Sequence, residues 1–254
     1  MPRTERLVSK TGIYHIMLRG INQQLIFEET EDHTKFLSVL SEVKQISGFK
    51  LYAYCLMGNH VHLLIKEGDE TIAQVFRRIG ARYAFWFNWK YGRHGHLFQD
   101  RFRSEPVESD EYLLTVLLYI YQNPIKAGIC KALDKYEWCS RKYLGKCGMV
   151  DESDLFKIVP IEVIEERECV EIDGDLLEPK IGRGRAMTDE GALKQLKVLS
   201  NVRSISEFQL LNRELQAMVL LTLKDRGVSG RQLARVSGLS RGLVMRICRD
   251  ESAI

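Results

Sequence analysis

Residues 49–66 read FKLYAYCLMGNHVHLLIK, two apolar, β-rich runs on either side of Gly58-Asn59. Aromatic and branched residues suit a pleated, half-buried surface, and a Gly-Asn pair between two such runs is a hairpin signal. The stretch therefore predicts two antiparallel strands. Side chains alternate faces along a strand, so His60 and His62 point one way and Val61 the other. Two imidazoles side by side can converge on a metal ion; the plainer alternative is two partly buried polar residues beside a turn.

Working outward, GIYHIMLRG (12–20) reads as a further strand. In DHTKFLSVLSEVKQISG (32–48), Phe36, Leu37, Leu40, Val43 and Ile46 recur at helical spacing and Gly48 closes the run. A second helix, IAQVFRRIGARYAFWFNWKYG (72–92), and a short strand, RFRSEPVE (101–108), follow. A third helix runs through SDEYLLTVLLYIYQN (109–123), with Ser109 as N-cap and acids in its first turn. Strand, helix, hairpin, helix, strand is the ferredoxin-like, split βαβ order, so the expected class is α+β with one antiparallel sheet covered by helices.

The third helix places Tyr119 and Asn123 at i and i+4, on one face, with Tyr112 a heptad back and Tyr121 turned away. An Asn123 oxygen could complete a His60-His62-Asn123 set with open positions for a phosphate. Such a mixed nitrogen and oxygen set suits Mn²⁺ at least as well as Mg²⁺. For Tyr119 the alternative is an aromatic packed between helix and sheet.

At 254 residues and 45% hydrophobic composition the chain can bury a sizeable core, as one large domain or two modest ones. No apolar run approaches the roughly 18 residues that span a bilayer, and MPRTERLVSKTG lacks a signal-peptide core, so the cytoplasm is the expected compartment. Six cysteines without a CxxC pair suggest neither zinc nor a disulfide framework. Charge is segregated: residues 1–150 carry 21 Lys/Arg against 16 Asp/Glu, residues 151–178 two against eleven, and residues 180–249 fourteen against five. That pattern predicts a domain over 1–145, an acidic then Gly/Arg-rich linker over 146–185, and a helical domain over 186–254, with the basic modules suited to a polyanion.

Between Arg77 and Arg103, seven cations meet the single acid Asp100, interleaved with aromatics. Cations that track phosphates and rings that stack bases are what single-strand binding uses, although Phe85, Trp86 and Trp89 read better as helix core. His94 and His96 form a second HxH in a glycine-rich loop with no partner ligand in view. The C-terminal GVSGRQLARVSGLSRGLVMRICR (227–249) has the spacing of a helix-turn-helix (about 228–250), its second helix starting near Ser240 and exposing Arg241, Arg246 and Arg249. Residues 190–224 predict one or two supporting amphipathic helices.

Five blocks now stand in order: GIYHIMLRGINQQLIF, LYAYCLMGNHVHLLI, HLFQDRFRSEPV, YLLTVLLYIYQNPIKAGI and YEWCSRKYLG. Together they resemble the single-tyrosine HUH transposases, in particular the branch of REP-associated tyrosine transposases, over about residues 8–145. The resemblance implies that His60 and His62 are the metal-binding pair, that Tyr119 is the nucleophile and that Asn123 completes the metal site. It implies an enzyme that cleaves and rejoins single-stranded DNA, beside hairpins, through a 5′-phosphotyrosine with Mg²⁺ or Mn²⁺. Arg101, Arg103 and Lys126 flank these motifs and are expected to hold the DNA, with duplex binding by the C-terminal domain. Gly58 stands where relatives often carry proline, which should only alter the turn. In related small transposases the tyrosine helix can serve a second copy's histidines, so a homodimer is one arrangement. The competing class is a DNA-binding regulator that uses neither Tyr119 nor metal; a two-histidine phosphodiesterase would need two separated H-x-S/T motifs and is disfavoured.

Overall fold

A computed structural model describes residues 6–99, 101–146, 148–168, 170, 172, 176–177 and 188–249. The predicted hairpin forms as β2 (Lys50–Met57) and β3 (His60–Lys66), and β1 (Ile13–Arg19) and β4 (Arg103–Pro106) complete one antiparallel sheet in the order β2-β3-β1-β4. Helix α1 (Thr30–Ser47) joins β1 to β2, and α2 (Ile72–Lys90) joins β3 to β4. This is the ferredoxin-like arrangement, and α3 (Asp110–Lys126) follows it. The helices start and stop where their caps dictate: Thr71 accepts from Gln74 N, Ser109 accepts from Tyr112 N, and Gly48 ends α1 in the left-handed region.

The sheet separates two cores. On one face Ile16, Leu18, Val61 and Leu63 pack with Phe36, Leu40, Val75, Ile79 and Tyr83 of α1 and α2. On the other, Ala53, Cys55 and Leu64 pack with Leu113, Leu117, Tyr119 and Ile120 of α3. A register shift between Leu51 and Ala53 turns these two residues to opposite faces, with Leu51 opposite Ile65 and Ala53 opposite Leu64.

Part of the expected linker is folded. Helices α4 (Glu152–Ile158) and α5 (Ile161–Arg167) bury Leu155, Val159 and Ile164 in the α3-side core. Asp151 accepts from Leu51 N at 2.8 Å and pairs with Lys44, so apolar residues between the acids turn this run into an extension of the first domain. The segment KIGRGRAM (180–187) lies outside the described residues. Three helices, α6 (Asp189–Ser200), α7 (Ile205–Leu210) and α8 (Arg213–Asp225), form where one or two were expected, because a left-handed Asn201 and the caps Ser204 and Asn212 divide the run. Then α9 (Gly230–Ser237), a left-handed Gly238 and α10 (Arg241–Ile247), capped by Ser240, follow as two short helices joined by a tight turn.

The C-terminal helices pack on the sheet domain. Leu25, Leu193 and Ile205 form a small buried cluster, Glu28 accepts from Ile205 N at 2.9 Å and lies 3.5 Å from Lys197 Nζ, and α9 rests on the 3-10 turn Ile21–Gln23. The expectation for two aromatics is reversed: Phe85 is 77% and Trp89 75% exposed, while Trp86 packs on the core. Helix α2 turns the stripe Val75, Phe76, Ile79, Tyr83 and Phe87 to the sheet, which leaves positions 85 and 89 on its outer side. Among the described residues no helix is long and apolar enough to cross a membrane, and Cys55, Cys130, Cys139 and Cys248 are free thiols.

Candidate active site

Pairing brings the polar residues of three strands onto the α3 face. His62 lies opposite Met17 on β1 and Cys55 on β2, and His60 lies opposite Arg19 and Met57. Opposed residues share a face, so β1 contributes His15, Met17 and Arg19 beside the two histidines. The Gly58-Asn59 turn has no positive φ. It is held instead by the segment after β1: Gly20 N donates to Asn59 O at 2.9 Å, Ile26 N donates to Gly58 O at 2.9 Å, and Asn59 Nδ2 donates to Gln23 O at 3.1 Å. Asn22 and Gln23, at φ 53° and 62°, occupy the left-handed region, a strained conformation that these turn contacts hold in place.

The result is a closed cluster of three imidazoles and one phenol. His15 Nε2 and His62 Nδ1 are 3.0 Å apart with their rings stacked at 5.2 Å, and the His60 and His62 rings meet edge-on at 4.9 Å. Tyr119 of α3 stands edge-on to His62 at 5.6 Å and to His15 at 5.8 Å, so nucleophile candidate and histidines meet within one chain. His15, His62, Tyr119 and Asn123 are all at most 2% exposed. His60 Nδ1 faces Asn59 Oδ1 at 2.7 Å. The outward nitrogens, Nε2 of His60 and of His62, and Nδ1 of His15, are buried with no hydrogen-bond partner among the described residues.

Burial keeps these rings neutral. It pushes His15 and His60 down to about 3 and His62 well below the ordinary imidazole value, and Arg19 and Arg235 add to the effect on His60. Neutral imidazoles with unpartnered Nε2 atoms on one face are the form in which histidine binds a metal. Asn123 lies one turn beyond Tyr119 on α3: its Nδ2 is 3.5 Å from the Tyr119 carbonyl, and no hydrogen bond among the described residues joins it to either histidine. No group of three or more His, Cys, Asp or Glu is disposed as a metal cage among the described residues. A cation at His60 and His62 would therefore draw further oxygen from Asn123, water or a phosphate.

The expected DNA contacts divide by position. Arg101 and Arg103 line a crevice of about 30 Å³ with Met17, Arg19 and Gln99, immediately beside the cluster because Met17 and Arg19 are the register partners of His62 and His60. Lys126 Nζ sits 5.0 Å above the Tyr119 ring and donates to Ile172 O at 2.6 Å. Arg241, Arg246 and Arg249 are exposed on and just after α10. His94 and His96 are exposed in their loop. Sequence reasoning missed His15, Asn59 and Arg19. The β1 strand was legible, but seeing that His15 joins the cluster requires the β1–β3 register.

Comparison with known proteins gives a consistent picture. Residues 8–123 match the IS200-like transposase family. A curated protein of Haemophilus influenzae, named as a REP-associated tyrosine transposase, is 24% identical over 153 residues, covering 55% of this chain and 85% of that one. A solved structure described as a REP-associated tyrosine transposase bound to a REP hairpin superposes with a TM-score of 0.54 at 18% identity, covering 72% of this chain and all of the other. At that identity the likeness is one of fold.

Proposed function

We propose, from the match of residues 8–123 to the IS200-like transposase family, that the chain cleaves and rejoins single-stranded DNA with Tyr119 as nucleophile. The observation that carries the reading is the meeting of Tyr119 with His62 and His60 in one buried cluster whose two Nε2 atoms are left unpartnered. A phosphodiester brought to the Arg19, Arg101 and Arg103 crevice would meet positive charge beside the histidine cluster. The Tyr119 Oη–phosphorus bond forms as the phosphorus–O3′ bond breaks; the phenol loses its proton, and the 3′-oxygen leaves and takes one up. The product is a 5′-phosphotyrosine and a free 3′-hydroxyl. Attack by a 3′-hydroxyl on that linkage reverses the step and rejoins a strand, with no nucleotide hydrolysis.

His60 and His62, whose Nε2 atoms are unpartnered, fit a divalent cation, Mn²⁺ or Mg²⁺, with Asn123 as the proposed third ligand; when bound the cation supplies charge to polarise the phosphate. The chain's own residues orient the reaction. Asn59 fixes the His60 ring, α3 holds Tyr119 against the sheet, and the low exposure of the cluster excludes bulk water from the linkage. Hairpin DNA is the proposed substrate, in keeping with the hairpin held by the structural neighbour. The exposed basic face of α10 is the proposed duplex contact. The test is a cleavage assay on end-labelled single-stranded hairpin DNA from the flanks of the gene, with Mn²⁺ or Mg²⁺. The reading predicts metal-dependent cleavage that falls at least 10³-fold, by about 4 kcal/mol or more, in Tyr119→Phe while DNA binding persists. Binding without cleavage across several flanking substrates would favour the regulator.

A further inference from the structure

The two candidate ligands differ in how their inner nitrogens are held. His60 Nδ1 faces a carbonyl oxygen, Asn59 Oδ1, whose amide nitrogen is committed to Gln23 O. That oxygen can only accept, so Nδ1 carries the proton and Nε2 keeps its lone pair. His62 Nδ1 faces another imidazole, His15 Nε2, at 3.0 Å. Two proton arrangements fit that contact. In one, His15 donates from Nε2; His62 then carries its proton on Nε2 and has nothing to offer a cation. In the other, His15 is protonated on Nδ1 and accepts from His62 Nδ1–H, which frees the Nε2 lone pair of His62. Only the second arrangement makes His60 and His62 alike.

We propose that His15 is a positioning residue that holds His62 in its Nδ1–H tautomer, so that His60 and His62 present matched Nε2 lone pairs to one divalent cation. The inference rests on the metal-assisted reading above. The geometry suits the role. His15 is fully buried, its ring is stacked on His62 and met edge-on by Tyr119, and its place on β1 is fixed opposite Leu64. An orienting partner on the inner nitrogen sets both ring angle and tautomer of a ligating histidine, and its loss ordinarily weakens metal binding 10- to 100-fold.

The experiment uses the full chain labelled with ¹⁵N-histidine and reads each ring's tautomer from two-bond nitrogen–proton correlations, without metal. Calorimetric titration with Mn²⁺ then compares wild type, His15→Leu and His15→Gln. The expected result is Nδ1–H at both His60 and His62, a 10- to 100-fold loss of Mn²⁺ affinity in His15→Leu, and recovery of most of it in His15→Gln, whose amide oxygen can accept near the same place. An Nε2–H proton on His62 in the wild type would overturn the proposal, as would a folded His15→Leu that binds Mn²⁺ like wild type. Should His15→Leu not fold, the wild-type tautomer alone decides. Wild type that takes up no Mn²⁺ overturns this role and the metal-assisted reading together. Wild type with the expected tautomers and affinity but no DNA linkage to Tyr119 sinks the strand-transfer reading and leaves the role of His15 standing.

Discussion

Asp32 shows how one buried charge anchors the scaffold that carries the site. Fully buried at the start of α1, it accepts from Glu28 N at 2.6 Å, Glu29 N at 2.8 Å, Lys90 Nζ at 2.7 Å and the Tyr91 hydroxyl at 2.8 Å. It thereby ties α1 to the end of α2. Lys90 keeps Glu29 and Glu31 if Asp32 is removed, but the two amides and the phenol do not find replacements. Orphaned donors cost about 1–3 kcal/mol each when buried and less where water can reach them, as at these part-buried groups, so Asp32→Ala should lower unfolding free energy by about 2 kcal/mol or more in denaturant titration. A loss under ~1 kcal/mol would mean that water takes over the network. At this scale the sequence was only partly readable. That His60 and His62 share one side of a strand, and Tyr119 and Asn123 one face of a helix, was legible in their spacing, because alternation along a strand and the turn of a helix are local. Asp32, His15 and Asn59 act through partners distant in the chain or through a turn geometry, and no local pattern marks them.

The elements were more legible than their surfaces. The four strands, the cap at Ser109 and the turn at Gly238 all follow from local chemistry. The order of the sheet follows from βαβ connectivity. The outer face of α2 did not, because an aromatic-rich helix has more large side chains than one buried stripe can take, and only the packing decides which stay out. With α10 the sequence and the structure agree on an exposed basic face, whose proposed partner is the phosphate backbone of a duplex. Each phosphate contact contributes close to one unit to the slope of log affinity against log salt. Arg241→Ala with Arg246→Ala should therefore weaken duplex binding and flatten that slope by about 2, measured by fluorescence anisotropy across a salt series, while hairpin cleavage by the sheet domain is retained. An unchanged slope would remove α10 from the DNA interface.

At the scale of the whole molecule, the C-terminal helices meet the sheet domain at a titratable joint. Glu28, buried between them, is pushed up to about 7 by burial and by Asp32, against the opposing pull of Ile205 N and Lys197; Arg93 also faces it. In the unfolded chain the carboxyl titrates near its ordinary 4.5, so the folded state holds the proton more tightly. This group's contribution is therefore fully present below about pH 4.5 and is lost as pH rises through about 7. The buried imidazoles run the other way, since their neutral burial is favourable only above their ordinary range. Glu28→Gln isolates the joint: the stability of wild type minus variant should fall between pH 5 and 7.5, and the variant should be the more stable at pH 7.5. A difference flat with pH would place Glu28 in a more hydrated setting. The packing of the C-terminal helices on the sheet domain through Leu25, Glu28 and the turn at Ile21–Gln23 was not legible in the sequence, because single residues scattered along the chain make that contact.

The most direct measurement is to locate the covalent bond. Full-length protein incubated with Mn²⁺ and its flanking hairpin DNA, then digested and examined by mass spectrometry, should yield one peptide carrying a 5′-linked nucleotide on Tyr119, absent from Tyr119→Phe. A nucleotide linked to any other residue, or strand cleavage that persists in Tyr119→Phe, would contradict the assignment of this cluster as the site of strand transfer.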